Sequence, residues 1–342
     1  MSIKLTTITT WILILIIGVI IGFLLKQYKS DRTGDENPVV EKHIKFDDTR
    51  QINWSQDFKI VEIRSGKDDS IQKAYFYKSS AEQPQPLIVS LHTWSGDYTQ
   101  KDDLAEMCKQ KDLNYIHPDF RGANNTIDAC CSELALADID DAITYATENG
   151  SVDTTKIYVI GVSGGGYATL STFMKSKHRI RKFSAWASIT DLTAWYNESR
   201  IRNNRYAQNI LDCTGSVNNL DVELAKHRSP LFWDTPTEKL NQSKLFIYAG
   251  IYDGIQGSVP ITHSINFYNK ILADLSVSDP SLYVSDNEKL KLLETREPLD
   301  EYGEIEGRKI CLKKESGNVS LIIFEGNHEL LTEFAFNELL ED

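Results

Sequence analysis

No C-x-x-C pair occurs in this chain, and none of its five cysteines stands at a metal-like spacing from a histidine, which excludes a zinc site. The most glycine-rich stretch lacks the Lys-Ser/Thr ending of a phosphate-cradling Walker loop. Positive charge is in deficit, with 37 Lys and Arg against 49 Asp and Glu, a net charge of −12. The phosphate backbone of a nucleic acid meets a repulsive average field there, so nucleic acid is excluded as a partner. No internal repeat is apparent. What remains is a chain of 342 residues, 41% hydrophobic and 25% charged, the composition of an ordinary globular protein rather than a disordered one. Its length suits one large α/β domain with insertions, or two modest domains.

The glycine-rich stretch, Gly161-Val162-Ser163-Gly164-Gly165-Gly166, organises the rest. Lys156–Ile160 before it is a β-branched and aromatic run, as a buried parallel strand requires, and Tyr167–Met174 after it has helix composition. A serine on so sharp a strand-to-helix turn needs small neighbours, because the two backbones approach too closely for side chains. This is the pattern of a nucleophile elbow, and it makes Ser163 the candidate nucleophile. The bland reading is a glycine-rich turn with an exposed serine.

Around the elbow the chain reads in order. Trp11–Leu25 is an apolar run broken only by Gly18 and Gly22, followed by no small-residue cleavage pattern, so 1–29 is expected to be an uncleaved transmembrane anchor and 30–38 a linker. Lys26, Lys29 and Arg32 after the run outnumber Lys4 before it, which by positive-inside counting favours a cytoplasmic domain. Secreted hydrolases on N-terminal anchors argue for an extracytoplasmic one, and that side is the expectation adopted. Residues 39–342 form the catalytic domain. Val39–Phe46, Phe58–Arg64 and Ile71–Tyr77 are expected as an antiparallel lead-in, followed by strands at Pro86–Leu91, Asn114–His117, Phe183–Ala187 and Lys244–Ala249. Leu136, Ile139, Ile143 and Ala146 mark a helix opened by Ser132, and another spans Ile261–Leu275. The alternation predicts a mostly parallel, doubly wound α/β sheet. Residues 192–241 read as a helical cap, 276–307 as a polar surface excursion, 310–324 as a hairpin and 329–340 as a final helix. Cys130 or Cys131 bridges to Cys213 in an oxidising compartment, with buried free thiols the equal alternative.

A serine hydroxyl needs a base, and the base a carboxylate that fixes its tautomer. Of the seven histidines, His328 follows the last strand, in Phe324-Glu325-Gly326-Asn327-His328. Asp253 follows Leu245–Ala249 in a glycine-flanked turn, and Asp191 reads as a helix cap. Ser, acid, then His is the chain order expected of this fold. Gly164 supplies one oxyanion amide, and the loop after Leu91 supplies the second, from Trp94 ahead of Thr93; His92 is read as holding that loop.

Gly161–Tyr167, the Gly-x-x-Asp turn ending at Asp253 with Val259-Pro260 and His263-Ser264 after it, and Gly326-Asn327-His328 together resemble the catalytic domain of the prolyl oligopeptidase (S9) family of α/β-hydrolases, over roughly residues 70 to 342. The resemblance implies Ser163, Asp253 and His328 as triad, and acyl transfer without metal or organic cofactor. Two departures tilt the expectation from peptidase to carboxylic ester hydrolase. Fewer than 60 residues separate anchor and catalytic domain, where the family's peptidases carry a β-propeller, and His92-Thr93-Trp94 replaces a His-Gly pair. Trp186, Trp195, Tyr196 and Trp233 suggest stacking on an acylated carbohydrate, with Trp195, Tyr196 and Trp233 as substrate-binding residues, against core packing as the bland reading. Arg200, Arg202 and Arg205 read as a solvated helix face, with a carboxylate clamp as the alternative. The substrate is thus a small molecule, a glycan or a peptide; an oligopeptidase or aminopeptidase is the second reading, and a silent binding protein of the same fold the third.

Overall fold

In the computed structural model of the protein, residues 54–341 are described. The expected anchor, linker and first strand lie outside these residues. Among the described residues no helix is long and apolar enough to cross a membrane.

The strands are β1 (Lys59–Arg64), β2 (Ile71–Tyr77), β3 (Gln85–Leu91), β4 (Asn114–Pro118), β5 (Val152–Val162), β6 (Lys182–Trp186), β7 (Lys244–Gly250), β8 (Glu304–Ile305), β9 (Arg308–Ser316) and β10 (Val319–Phe324). They form one sheet in the order β1-β2-β4-β3-β5-β6-β7-β10-β9-β8. The block β4-β3-β5-β6-β7-β10 is parallel, while β1, β2, β9 and β8 pair antiparallel at the two edges. The antiparallel lead-in, the parallel block and the closing hairpin therefore stand where the hydrophobic patterning predicts them. Successive connections leave β3 and β5 towards opposite edges, which opens a crevice between the carboxyl ends of those two strands.

The helices are α1 (Asp103–Gln110), α2 (Glu133–Asn149), α3 (Gly164–Lys175), α4 (Leu192–Ile201), α5 (Tyr206–Cys213), α6 (Val222–His227), α7 (Thr262–Asp274), α8 (Asp286–Thr295) and α9 (Thr332–Leu340). Both sheet faces are covered, so central strands such as β4, β6 and β10 are buried at every position. Helix α2 shows how patterning sets packing. Ser132 caps it by accepting from the Ala135 amide, and Ala135, Asp138, Ile139, Ala142, Ile143 and Ala146 form its buried stripe. Asp138 sits in that stripe because Arg121 Nε, at 2.5 Å, and Ser65 Oγ, at 2.5 Å, satisfy its carboxylate.

Residues 192–241, the segment read as a cap, carry α4, α5, α6 and two short 3-10 turns between β6 and β7. Cys130 and Cys213 are disulfide-bonded, which joins the end of α5 to the loop before α2, while Cys108, Cys131 and Cys311 are buried free thiols. Helices α1 and α8 have no counterpart in the sequence reading. The 276–307 stretch is more ordered than a surface excursion, because Ser285 and Glu288 close a capping box that starts α8.

Candidate active site

The site is built from loops at the carboxyl ends of β3, β5, β7 and β10. At the end of β5, Ser163 has φ 59° and ψ −119°, a left-handed conformation that costs a non-glycine residue energy. The turn is held by the Ser163 amide on the Trp186 carbonyl at 2.9 Å and by the Tyr167 amide on the Ser163 carbonyl at 2.9 Å. Strand and helix meet backbone to backbone here, since a Cβ on Gly161 would lie 2.4 Å from the Gly165 carbonyl carbon. Ser163 is thereby presented at the head of α3, where the first helical amides have no acceptor within the helix.

Gly164 is the first of those residues, and a Cβ on it would lie 2.3 Å from the Trp94 amide nitrogen. Only glycine lets the loop after β3 approach so closely. Among the described residues, neither the Gly164 nor the Trp94 amide donates to a protein acceptor. Thr93, the second choice from sequence, is not available, because its amide donates to Gln100 Oε1 at 2.9 Å. The peptide between Thr93 and Trp94 is planar, so fixing its carbonyl aims its amide the opposite way. That carbonyl accepts from the Gly96 amide at 3.1 Å and faces His92 Nδ1 at 2.9 Å. His92 Nε2 lies 2.8 Å from the Asp119 carbonyl, and the ring stacks on Phe120 with centroids 3.9 Å apart. Burial pushes the His92 imidazole below its ordinary range, against the pull of the Thr93 and Asp119 carbonyls. His92 thus holds the loop after β3, the part its position predicts for it.

Asp253 follows β7 and His328 follows β10, and the two strands are parallel neighbours. His328 Nδ1 lies 2.7 Å from Asp253 Oδ2, with both residues buried. Asp253 Oδ1 accepts from the amides of Gly254 and Val259, each at 2.9 Å, which fixes the carboxylate plane. A nitrogen that faces a carboxylate carries its proton, so Nε2 presents the lone pair. Ser258 Oγ stands 3.3 Å from Nε2. The His328 loop is anchored by Glu329 Oε1, which accepts from the Asn327 amide at 2.8 Å and pairs with Arg308 Nη1 at 2.5 Å. Asp191 caps α4 through the Thr193 and Ala194 amides, at 2.8 and 3.1 Å, the helix-cap role expected of it.

Of the aromatic residues expected at the substrate, Trp186 and Trp195 present no open face. Trp186 is buried and stacked on Tyr248. Trp195 is wholly buried, edge-on to Trp94 at 4.6 Å and stacked on Tyr206 at 4.9 Å, with its Nε1 on the Ser258 carbonyl at 2.8 Å. Tyr196 is half-buried against the same core. Trp233 lies under Lys175 Nζ, 4.9 Å from the ring centre, in a cleft of about 770 Å³ at the end of α3 remote from Ser163. The cap arginines are also not simply a solvated face. Arg202 Nη1 donates to the Gly257 carbonyl at 3.1 Å, and Arg205 Nη2 to Ser95 Oγ at 2.8 Å. Ser258, which faces His328, and Asn124, which binds the Trp94 carbonyl, are not legible in sequence, because no motif spacing marks them.

A strand-to-helix serine, an Asp-His pair on adjoining strands and two facing amides define the α/β-hydrolase class of fold and site. The sequence model of the prolyl oligopeptidase family, Peptidase S9, matches residues 104–287, more than half of the chain, and the protein belongs to that family. No curated protein matches the chain. Among solved structures, acylaminoacyl peptidase from Pyrococcus horikoshii is 18% identical with a TM-score of 0.51, over 65% of this chain and 36% of that one. A puromycin-hydrolyzing peptidase from Mycobacterium tuberculosis is 13% identical with a TM-score of 0.52, over 82% of this chain and 37% of that one. Prolyl oligopeptidase B from Galerina marginata is 14% identical with a TM-score of 0.51, over 64% and 32%. The chain thus spans about a third of the length of these structures, and at such identities the likeness concerns the fold.

Proposed function

We propose that this chain is a serine hydrolase that cleaves a peptide or aminoacyl amide by acyl transfer, with Ser163, His328 and Asp253 as its triad. The observation that carries the reading is the buried 2.7 Å contact of His328 Nδ1 with Asp253 Oδ2, on loops at the same sheet edge as the strained Ser163 turn. Asp253 orients the imidazole, whose Nε2 takes the Ser163 proton as Oγ attacks the acyl carbon. The amides of Gly164 and Trp94 receive the developing oxyanion. His328 then returns the proton to the leaving amine, and a water activated the same way releases the acyl group. The hydroxyl of Ser258 donates to Nε2 in the free protein and yields that position to Ser163.

Amide cleavage is favoured over ester cleavage because the solved relatives of this fold are peptidases by name. Ester hydrolysis is the second reading, on the departure at His92-Thr93-Trp94. The acylated carbohydrate loses its support with the burial of Trp186 and Trp195. The Cys130–Cys213 disulfide fits an oxidising compartment, which supports an extracytoplasmic domain on an anchor at 1–29.

The test is turnover of an aminoacyl p-nitroanilide and a p-nitrophenyl acetate by the full chain and by Ser163→Ala. Amide turnover that falls by about 10⁴-fold or more in the variant is expected. Ester turnover alone would move the assignment to the esterase reading. Turnover that persists in Ser163→Ala would overturn the nucleophile.

A further inference from the structure

The carbonyl of Trp94 is held as firmly as its amide side, and by a segment outside the catalytic loops. The Asn124 amide donates to it at 2.8 Å and Asn124 Nδ2 approaches it at 3.4 Å. Asn124 is 2% exposed, and its Oδ1 accepts from the Cys130 amide at 2.8 Å. Cys130, in a left-handed conformation with φ 51°, is disulfide-bonded to Cys213 on the cap, 83 residues further on. The same loop is tied to the elbow helix, since Tyr167 Oη, with one hydrogen to donate, lies 2.8 Å from the Cys130 carbonyl and 2.5 Å from that of Arg228. Arg228 in turn donates to the carbonyls of Ala129 and Ile127, at 3.1 and 2.5 Å. A covalent bond to the cap is thus two hydrogen bonds away from the residue whose amide faces Gly164.

We propose that Asn124 is a positioning residue for the Trp94 oxyanion donor and that the Cys130–Cys213 disulfide holds Asn124 in place, so that the cap's redox state sets catalytic efficiency. The proposal rests on the reading of Trp94 as an oxyanion donor. Asn124 reaches no reacting atom; it fixes the peptide on the carboxyl side of Trp94, while His92 and Gly96 fix the one on the amino side. Reduction by dithiothreitol breaks the sulfur–sulfur bond with two electrons and two protons, leaving two thiols, and the reductant closes to its own cyclic disulfide. The Cys130 amide is then held by the loop alone, and the clamp on the Trp94 carbonyl loosens.

The experiment uses the full chain as wild type, Asn124→Ala, Asn124→Asp and Cys213→Ser, each shown folded at assay temperature by its melting curve. On whichever p-nitroanilide or ester the wild type turns over, Asn124→Ala is expected to lower kcat by about 10- to 100-fold with KM within about threefold, because only the transition state uses the misaligned amide. Asn124→Asp keeps the acceptor for the Cys130 amide and recovers most of the loss. Dithiothreitol lowers wild-type kcat by the same order, while Cys213→Ser starts at the reduced level and does not respond. Hydrogen exchange of the 92–96 segment gives a readout without turnover, and is expected to rise by about tenfold in Asn124→Ala and on reduction of the wild type. Unchanged exchange in both cases overturns the proposal even if no substrate is found. So does wild-type kcat in Asn124→Ala, or an equal loss in KM. A wild type no more active than Ser163→Ala would count instead against the hydrolase reading.

Discussion

Replacing His92 tests whether the oxyanion amide is aimed through its own peptide plane. His92 has two contacts of nearly equal length, Nδ1 to the Thr93 carbonyl at 2.9 Å and Nε2 to the Asp119 carbonyl at 2.8 Å. Only the first lies on the peptide whose amide faces Gly164. Asparagine places its amide nitrogen near the position of Nδ1, and glutamine near that of Nε2, so the two variants separate the contacts. His92→Ala loses both contacts, along with the stack on Phe120, and is expected to cost about 2 kcal/mol of stability, because the neutral imidazole donates one hydrogen bond of about 1 kcal/mol and its loss leaves a buried carbonyl short of a donor. Loss of a whole oxyanion donor costs about 10²- to 10³-fold in kcat. The Gly96 amide still holds the Thr93 carbonyl at 3.1 Å, which limits the tilt. A fall of about 10- to 100-fold is therefore expected for His92→Ala and His92→Gln, equivalent to about 1.4–2.7 kcal/mol in the barrier. His92→Asn is expected to keep kcat within about threefold of wild type while losing about 1 kcal/mol of stability. Steady-state kinetics beside thermal melts read both quantities. Equal kcat for the Asn and Gln variants, or a Gln variant faster than the Asn variant, would refute the reasoning.

Two further outcomes are expected from buried carboxylates. Asp253→Asn should lower kcat by about 10⁴-fold with little change in KM, because an amide at that position selects the wrong imidazole tautomer; a loss below about tenfold in steady-state kinetics would show that another group orients His328. Glu338 is pushed up to about 7 chiefly by burial, and its Oε2 has no partner among the described residues, as suits a protonated acid. A raised folded value means its stability contribution is fully present below about 4.5 and is lost as pH rises through about 7, a change of roughly 3 kcal/mol. Glu338→Gln should therefore gain on the wild type in melting temperature between about pH 5 and about pH 8, and a pH-independent difference would rule the linkage out.

Local patterning alone was enough to identify the parallel block, the strand-to-helix turn at Ser163 and the helix capped by Ser132. Strand periodicity, cap chemistry and the close approach at glycine act over a few residues, so they are written in consecutive positions. Ser163, Asp253 and His328 each follow a strand of the parallel block, and the fold's chain order lines those strand ends up at one edge, which is why the sequence offers them as a candidate triad. Tertiary structure decided the remainder. Whether Trp195 stacks on a substrate or fills the core depends on what surrounds it, and here Trp94 and Tyr206 occupy its neighbourhood. Of the cysteines, the partner of Cys213 is Cys130 rather than the adjacent Cys131, which is a buried free thiol. Asn124 and Ser258 carry no signal in the chain itself. Each matters through a residue distant in sequence, Trp94 or His328, and only folding brings those partners within hydrogen-bonding distance.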